Sequence, residues 1–108
     1  MSDIKNLTPK ENEIYQLLKT VMDPEVNVNI VDLGLIYEIE YNEEQKTIKV
    51  IMTLSTRGCP LGDTILQNVQ VVLEANHAGY KAVVELTWEP QWTPEMITED
   101  GRMAIEGF

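Results

Sequence analysis

Cysteine, histidine, basic side chains and long apolar runs are all scarce in this 108-residue chain, and each shortage excludes something. A single cysteine, Cys59, leaves no internal disulfide framework and fits a reducing compartment. Eight lysines and arginines stand against eighteen acids, a formal net charge of -10. Nucleic-acid affinity comes largely from cations that displace counterions from phosphates, so that partner class is excluded. No stretch approaches the roughly 18 apolar residues of a membrane span, and Met1 to Asn6 lacks the apolar run of a signal peptide. A cytoplasmic protein with no membrane partner is expected. The chain also lacks a phosphate-cradling glycine loop followed by lysine, a G-x-S-x-G elbow, an H-E-x-x-H pair and a C-x-x-C pair. Nucleotide hydrolysis, serine hydrolase chemistry, zinc peptidase chemistry and dithiol redox cycling all lose support.

What is present suffices for one core: 44% of the residues are hydrophobic. One domain over residues 1–108 is expected, with residues 1–7 flexible. Thr8-Pro9-Lys10-Glu11 supplies an N-cap, a first-turn proline and a capping-box glutamate. Ile14, Leu17, Leu18 and Val21 follow at helical spacing, and Pro24 should end this first helix near Met22. From Leu35 to Tyr41 the residues alternate, with Leu35, Tyr37, Ile39 and Tyr41 on one face and Ile36, Glu38 and Glu40 on the other. Thr47 to Leu54 is β-branched, with Ile48, Val50, Met52 and Leu54 sharing a face, so the two segments should pair as a hairpin.

A breaker-rich loop from Ser55 to Gly62 precedes a second helix expected from about Asp63 to His77, with Gly79 as its C-terminal cap. Ala82 to Trp88 should be a third strand, and Thr93-Pro94-Glu95 should introduce a last helix from Met96 to about Ile105. The order is αββαβα, an α/β (α+β) domain whose three-stranded mixed sheet packs against helices.

Cys59 lies in a Gly/Pro loop just before a helix, where free amide N–H groups and the helix dipole favour a thiolate. An inert core cysteine fits the position equally well. His77 is the one histidine, but the 14 helical steps from Asp63 to His77 span about 21 Å, so a Cys-His dyad within one chain is not expected. It reads more simply as a surface histidine near a helix C-terminus. Asp23 and Glu25 flank Pro24, and such pairs bind metals or move protons, although Asp23 as a turn cap is the plainer reading. In Trp88-Glu89-Pro90-Gln91-Trp92 the two indoles either close the core or form a rim for a protein partner, with core closure ahead.

Together, Asp23-Pro24-Glu25, Val31-Asp32-Leu33-Gly34-Leu35-Ile36-Tyr37, Met52-Thr53-Leu54 leading to Gly58-Cys59-Pro60, and Trp88-Glu89-Pro90-Gln91-Trp92 resemble in order and spacing one family, over about residues 9–107. It is the metal-sulfur cluster assembly family of SufT, PaaD and the eukaryotic cytosolic iron-sulfur targeting proteins. Without a cysteine-rich tail or an appended P-loop ATPase domain, the chain looks more like the general bacterial SufT branch. The resemblance implies a fold akin to iron-sulfur assembly domains, often dimeric, with Cys59 as the reactive thiol. It implies supporting positions at Asp23, Glu25, Gly34, Thr53, Ser55 and Gly58. Ser55 and Arg57 replace a threonine and a proline of the family pattern, and Gln91 replaces a proline.

On this reading the protein is not an enzyme but an assembly factor that meets iron-sulfur scaffolds and client apo-proteins. Cluster ligation normally takes four ligands, and Cys59 supplies one, so a cluster would be held transiently, by Cys59 of two subunits with outside thiols. An adaptor that docks scaffold and client without holding a cluster is equally consistent. From other classes, a thiol redox sensor, a cysteine enzyme and a purely structural interaction module remain open.

Overall fold

The computed structural model describes residues 8–24, 26–54 and 62–106. Helix α1 spans Pro9–Leu18 and begins as the sequence predicts: the Thr8 hydroxyl accepts from the Glu11 N–H, and the Glu11 carboxylate accepts from the Thr8 N–H. It ends four residues short of the expected Met22. The N–H groups of Lys19, Thr20 and Val21 each bond the carbonyl three residues back, and the Thr20 hydroxyl donates to the Leu17 carbonyl at 2.8 Å. This tightened turn ends the helix and leaves Val21 buried just ahead of the next strand.

The stretch expected to be loop then forms a two-strand ribbon. Strand β1, Met22–Asp23, pairs antiparallel with β2, Val28–Asn29, and Asn27 makes the turn at φ 60°. Asparagine tolerates that left-handed conformation better than most residues.

Strand β3, Ile36–Asn42, pairs antiparallel with β4, Thr47–Met52, and β4 pairs in parallel with β5, Lys81–Leu86, giving the mixed order β3-β4-β5. One expectation about faces fails in β3. Ile36, assigned to the outer face, is buried opposite Met52. The register slips between Ile36 and Glu38, and this bulge at Tyr37 turns both Ile36 and Ile39 inward. In β4 the alternation holds: Ile48, Val50 and Met52 are buried.

Helix α2, Gly62–Asn76, buries Ile65, Val69 and Leu73. Helices α1 and α2 touch one another and lie on β3 and β5 respectively, so both cover the same face of the sheet. Each fully buried isoleucine or leucine between the layers is worth about 1.5–3 kcal/mol over its exposed state. The opposite face carries Glu38, Glu40, Lys49 and Glu85, with the Lys49 ammonium 3.3 Å from the Glu85 carboxylate.

The last helix is divided. A 3-10 turn at Pro94–Met96 is followed by extended Ile97 and then by α3, Glu99–Glu106. The Thr93-Pro94 signal starts the short turn, and Thr98 starts the helix: its hydroxyl accepts from the Gly101 N–H at 3.0 Å.

Candidate functional site

Beyond the end of β4 the sheet gives way to a backbone ladder that gathers four segments. The Thr53 N–H bonds the Leu35 carbonyl (2.9 Å), the Leu35 N–H bonds the Ile30 carbonyl (3.1 Å), and the Ile30 N–H bonds the Val21 carbonyl (2.9 Å). These segments sit beside Leu54, the last described residue before the stretch of sequence that contains Cys59. Among the described residues the buried polar or charged side chains are Asp23 and Thr53, 4% and 0% exposed, and both belong to this ladder or the ribbon joined to it. Burying such groups is costly unless they are hydrogen-bonded, so these positions mark where the fold accepts polar chemistry inside its core.

Gly34 closes the turn of the ladder. Its φ of +80° lies in the left-handed region, and a Cβ there would collide with the Met96 carbonyl oxygen. Glycine is therefore required on two counts, conformation and space. Met96 in turn lies 3.6 Å from the Tyr37 hydroxyl, which donates to the Pro90 carbonyl at 2.7 Å. Burial pushes the Tyr37 phenol above its usual pKa, and a hydrogen bond with the Thr53 side chain offsets part of that rise. Tyr37 thus connects Thr53 to the segment between the two tryptophans.

Asp32 holds the rear of the turn. Its carboxylate accepts from the Asn29 amide at 2.7 Å and from the Thr98 hydroxyl at 3.0 Å, and its carbonyl accepts from the Thr98 N–H at 2.8 Å. Gly101 completes the seam, since a Cβ there would sit 2.8 Å from the Asp32 carbonyl oxygen. The negative charge of Asp32, after burial itself, also helps raise the Tyr15 pKa.

Of the positions singled out from sequence, Asp23, Gly34 and Thr53 come together around this ladder, while Glu25, Ser55, Gly58 and Cys59 lie outside the described residues. Trp92 donates its indole N–H to the Leu33 carbonyl at 2.7 Å, and both Trp88 and Trp92 pack, partly buried, against the core. His77 follows the last turn of α2, whereas Cys59 precedes that helix in the sequence. Tyr37 and Asp32 entered the sequence reading only as members of a motif, and the tie between Asp32 and Thr98 was not expected. The Asn-x-x-Asp spacing of Asn29 and Asp32 hints at a local turn, whereas Thr98 is 66 residues from Asp32 and gives no local signal. Among the described residues no three His, Cys, Asp or Glu side chains gather to hold a metal ion, and no helix is long and apolar enough to cross a membrane.

The glycine turn and the buried polar pair belong to a small α+β domain with a three-stranded mixed sheet. Residues 11–86 match the model of the iron-sulfur cluster assembly protein family, and the chain belongs to that family. It is 36% identical over 98 residues, 91% of each chain, to an Fe-S protein maturation auxiliary factor of Porphyromonas gingivalis. It is 35% identical over 85 residues, 79% of this chain and 96% of the relative, to the Fe-S protein maturation auxiliary factor SufT of Staphylococcus aureus. The fold is similar to the crystal structure of a domain of unknown function from Bacillus anthracis. That match has a TM-score of 0.81 at 34% identity and covers 87% of this chain and 89% of the other.

Proposed function

We propose that this protein is an auxiliary factor in the maturation of iron-sulfur proteins and that Cys59 is its point of contact with the cluster or with the client cysteine receiving it. The observation that carries the reading is the family match over residues 11–86, a range that takes in the ladder, Cys59 and α2. Full-length relatives named as maturation auxiliary factors support the same assignment.

The chemistry agrees. A cluster bound through four ligands cannot be satisfied by one thiolate, so Cys59 would hold it only with ligands from a second copy, a small thiol or the client. A shell shared in this way comes apart readily, which suits delivery better than storage. The neighbouring fold would fix where the thiol is presented: Gly34 and the Tyr37–Thr53 contact stiffen the segments leading to Leu54, and α2 begins at Gly62. A cysteine nucleophile would need a general base, and His77 lies beyond the far end of α2.

The test is replacement of the cell's own copy by Cys59→Ser, with activities of several iron-sulfur enzymes measured beside enzymes that need no cluster. Selective loss of the cluster-dependent activities is expected. Equal activity in wild type and variant would remove Cys59 from the proposal, and turnover of a small substrate by the purified protein, abolished in the variant, would replace it with a thiol enzyme.

A further inference from the structure

The three-stranded sheet has two edges, β3 and β5, and they are defended unequally. An edge strand presents a row of unpaired N–H and C=O groups, which proteins blunt with bulges, prolines or like charges. β3 has its bulge at Tyr37, and pairing with a copy of itself about Ile39 would set Glu38 against Glu40. β5 contains no proline, keeps an unbroken register with β4, and leaves Val83 and Leu86 each 39% exposed. The N–H groups of Lys81 and Thr87 bond the Lys46 and Met52 carbonyls, so the odd-numbered residues turn their backbone groups towards β4. Ala82, Val84 and Leu86 turn theirs to the open side, where the Glu74 carboxylate accepts from the Ala82 N–H at 3.0 Å. The side chains alternate as well: Ala82 and Val84 pack towards the helices, while Lys81, Val83 and Glu85 line the solvent face.

We propose that β5 is the docking edge for β5 of a second copy of this chain, paired antiparallel so that the two sheets become one. The charges of the strand choose the register. With Val83 on the two-fold axis, Lys81 of each copy stands opposite Glu85 of the other, and Val83 stands opposite itself. These odd-numbered residues then form the non-hydrogen-bonded pairs of the new ladder, in which Cα atoms approach to about 4.5 Å and side chains interact most closely. The even-numbered residues form the hydrogen-bonded pairs, with the Val84 N–H donating to the Ala82 carbonyl of the second copy. The Ala82 N–H exchanges the Glu74 carboxylate for the Val84 carbonyl of the second copy, so that donor keeps a partner. Sliding the register by two residues would break both Lys81–Glu85 pairs, which makes the alignment specific. Glu85 already lies 3.3 Å from Lys49, and Lys81 of the second copy extends that row of alternating charge across the join. Leu86 faces Tyr80 of the second copy, so the two Leu86 positions, and with them the Leu54 ends of the sheets, lie about 20 Å apart along the strands. Each copy thus keeps its own Leu54 end open.

The experiment is sedimentation equilibrium of the purified full chain in reducing buffer at physiological salt, from about 1 μM to 1 mM. Wild type should pass from monomer to dimer in that range, and Cys59→Ser should do the same, because the edge does not depend on the thiol. Lys81→Glu and Glu85→Lys each set like charges at both pairs and should weaken the dimer about tenfold or more. Mixed in equal amounts, the two variants again meet with opposite charges at both pairs and should associate about as tightly as wild type. Val84→Pro removes an N–H on the open side and no bond to β4, so it should stay monomeric with a native circular dichroism spectrum. A wild type that remains monomeric to about 1 mM, a dimer that neither charge variant weakens, folded charge variants that fail to associate on mixing, or a folded Val84→Pro that still dimerises would overturn the proposal. The readout is molecular mass in the absence of iron and sulfide, so failure here is separable from failure of the maturation role.

Discussion

Gly34 is where a single added carbon has the clearest consequence. Alanine there must adopt a φ of +80° and drive its methyl into the Met96 carbonyl. Left-handed strain and overpacking each cost about 1–3 kcal/mol, so Gly34→Ala should lower the unfolding free energy by about 2–6 kcal/mol, read from the urea midpoint. The tyrosines provide a second residue-scale test. Thr53→Val removes the hydrogen bond that lowers the Tyr37 pKa, so Tyr37 should titrate still higher in an ultraviolet absorbance titration. Tyr41 keeps its proton in the folded chain to about pH 12, whereas an unfolded tyrosine releases it near pH 10. The folded state therefore binds more protons between those values. Tyr41's contribution to stability is complete below pH 10 and declines from there towards pH 12; Tyr80→Phe should flatten that decline, measured by denaturant unfolding across the interval.

The helices and strands differ in how well local sequence defines them. The start of α1 is written in Thr8 and Glu11 because a capping box involves residues three apart. Thr8→Ala should cost about 1 kcal/mol, seen as a lowered thermal midpoint. The end of α1, the bulge at Tyr37 and the β1-β2 ribbon could not be read in the same way. Val21 leaves the helix to bond Ile30, Ile36 turns inward to face Met52, and Met22 pairs with Asn29; each outcome is decided by a segment elsewhere in the chain. The division of the last helix has the same origin, since Thr98 is held by Asp32. Thr98→Ala removes both a helix cap and that tie, so it should destabilise the fold more than Thr8→Ala does and speed amide exchange through α3.

For the whole molecule, α1, the β3-β4 hairpin, α2 and β5 were legible in their order from periodicity, because amphipathic helices and alternating strands carry their own pattern, whereas the β1-β2 ribbon was not. The site was legible only in part. The motifs singled out Asp23, Gly34 and Thr53, but burial of the polar pair and the Tyr37 link to Thr53 depend on contacts between distant segments. The central claim, that this fold serves iron-sulfur maturation through Cys59, meets its most direct test in anaerobic reconstitution of wild type and Cys59→Ser with iron and sulfide, followed by activation of an apo-acceptor enzyme in the presence of a loaded scaffold. The account predicts faster activation with wild type than without it, and loss of that gain in the variant. A Cys59-dependent cluster that moves to the acceptor identifies a carrier, and the same gain without a cluster on the protein identifies an adaptor. No acceleration by wild type, under conditions in which the scaffold alone activates the acceptor slowly, would contradict the claim.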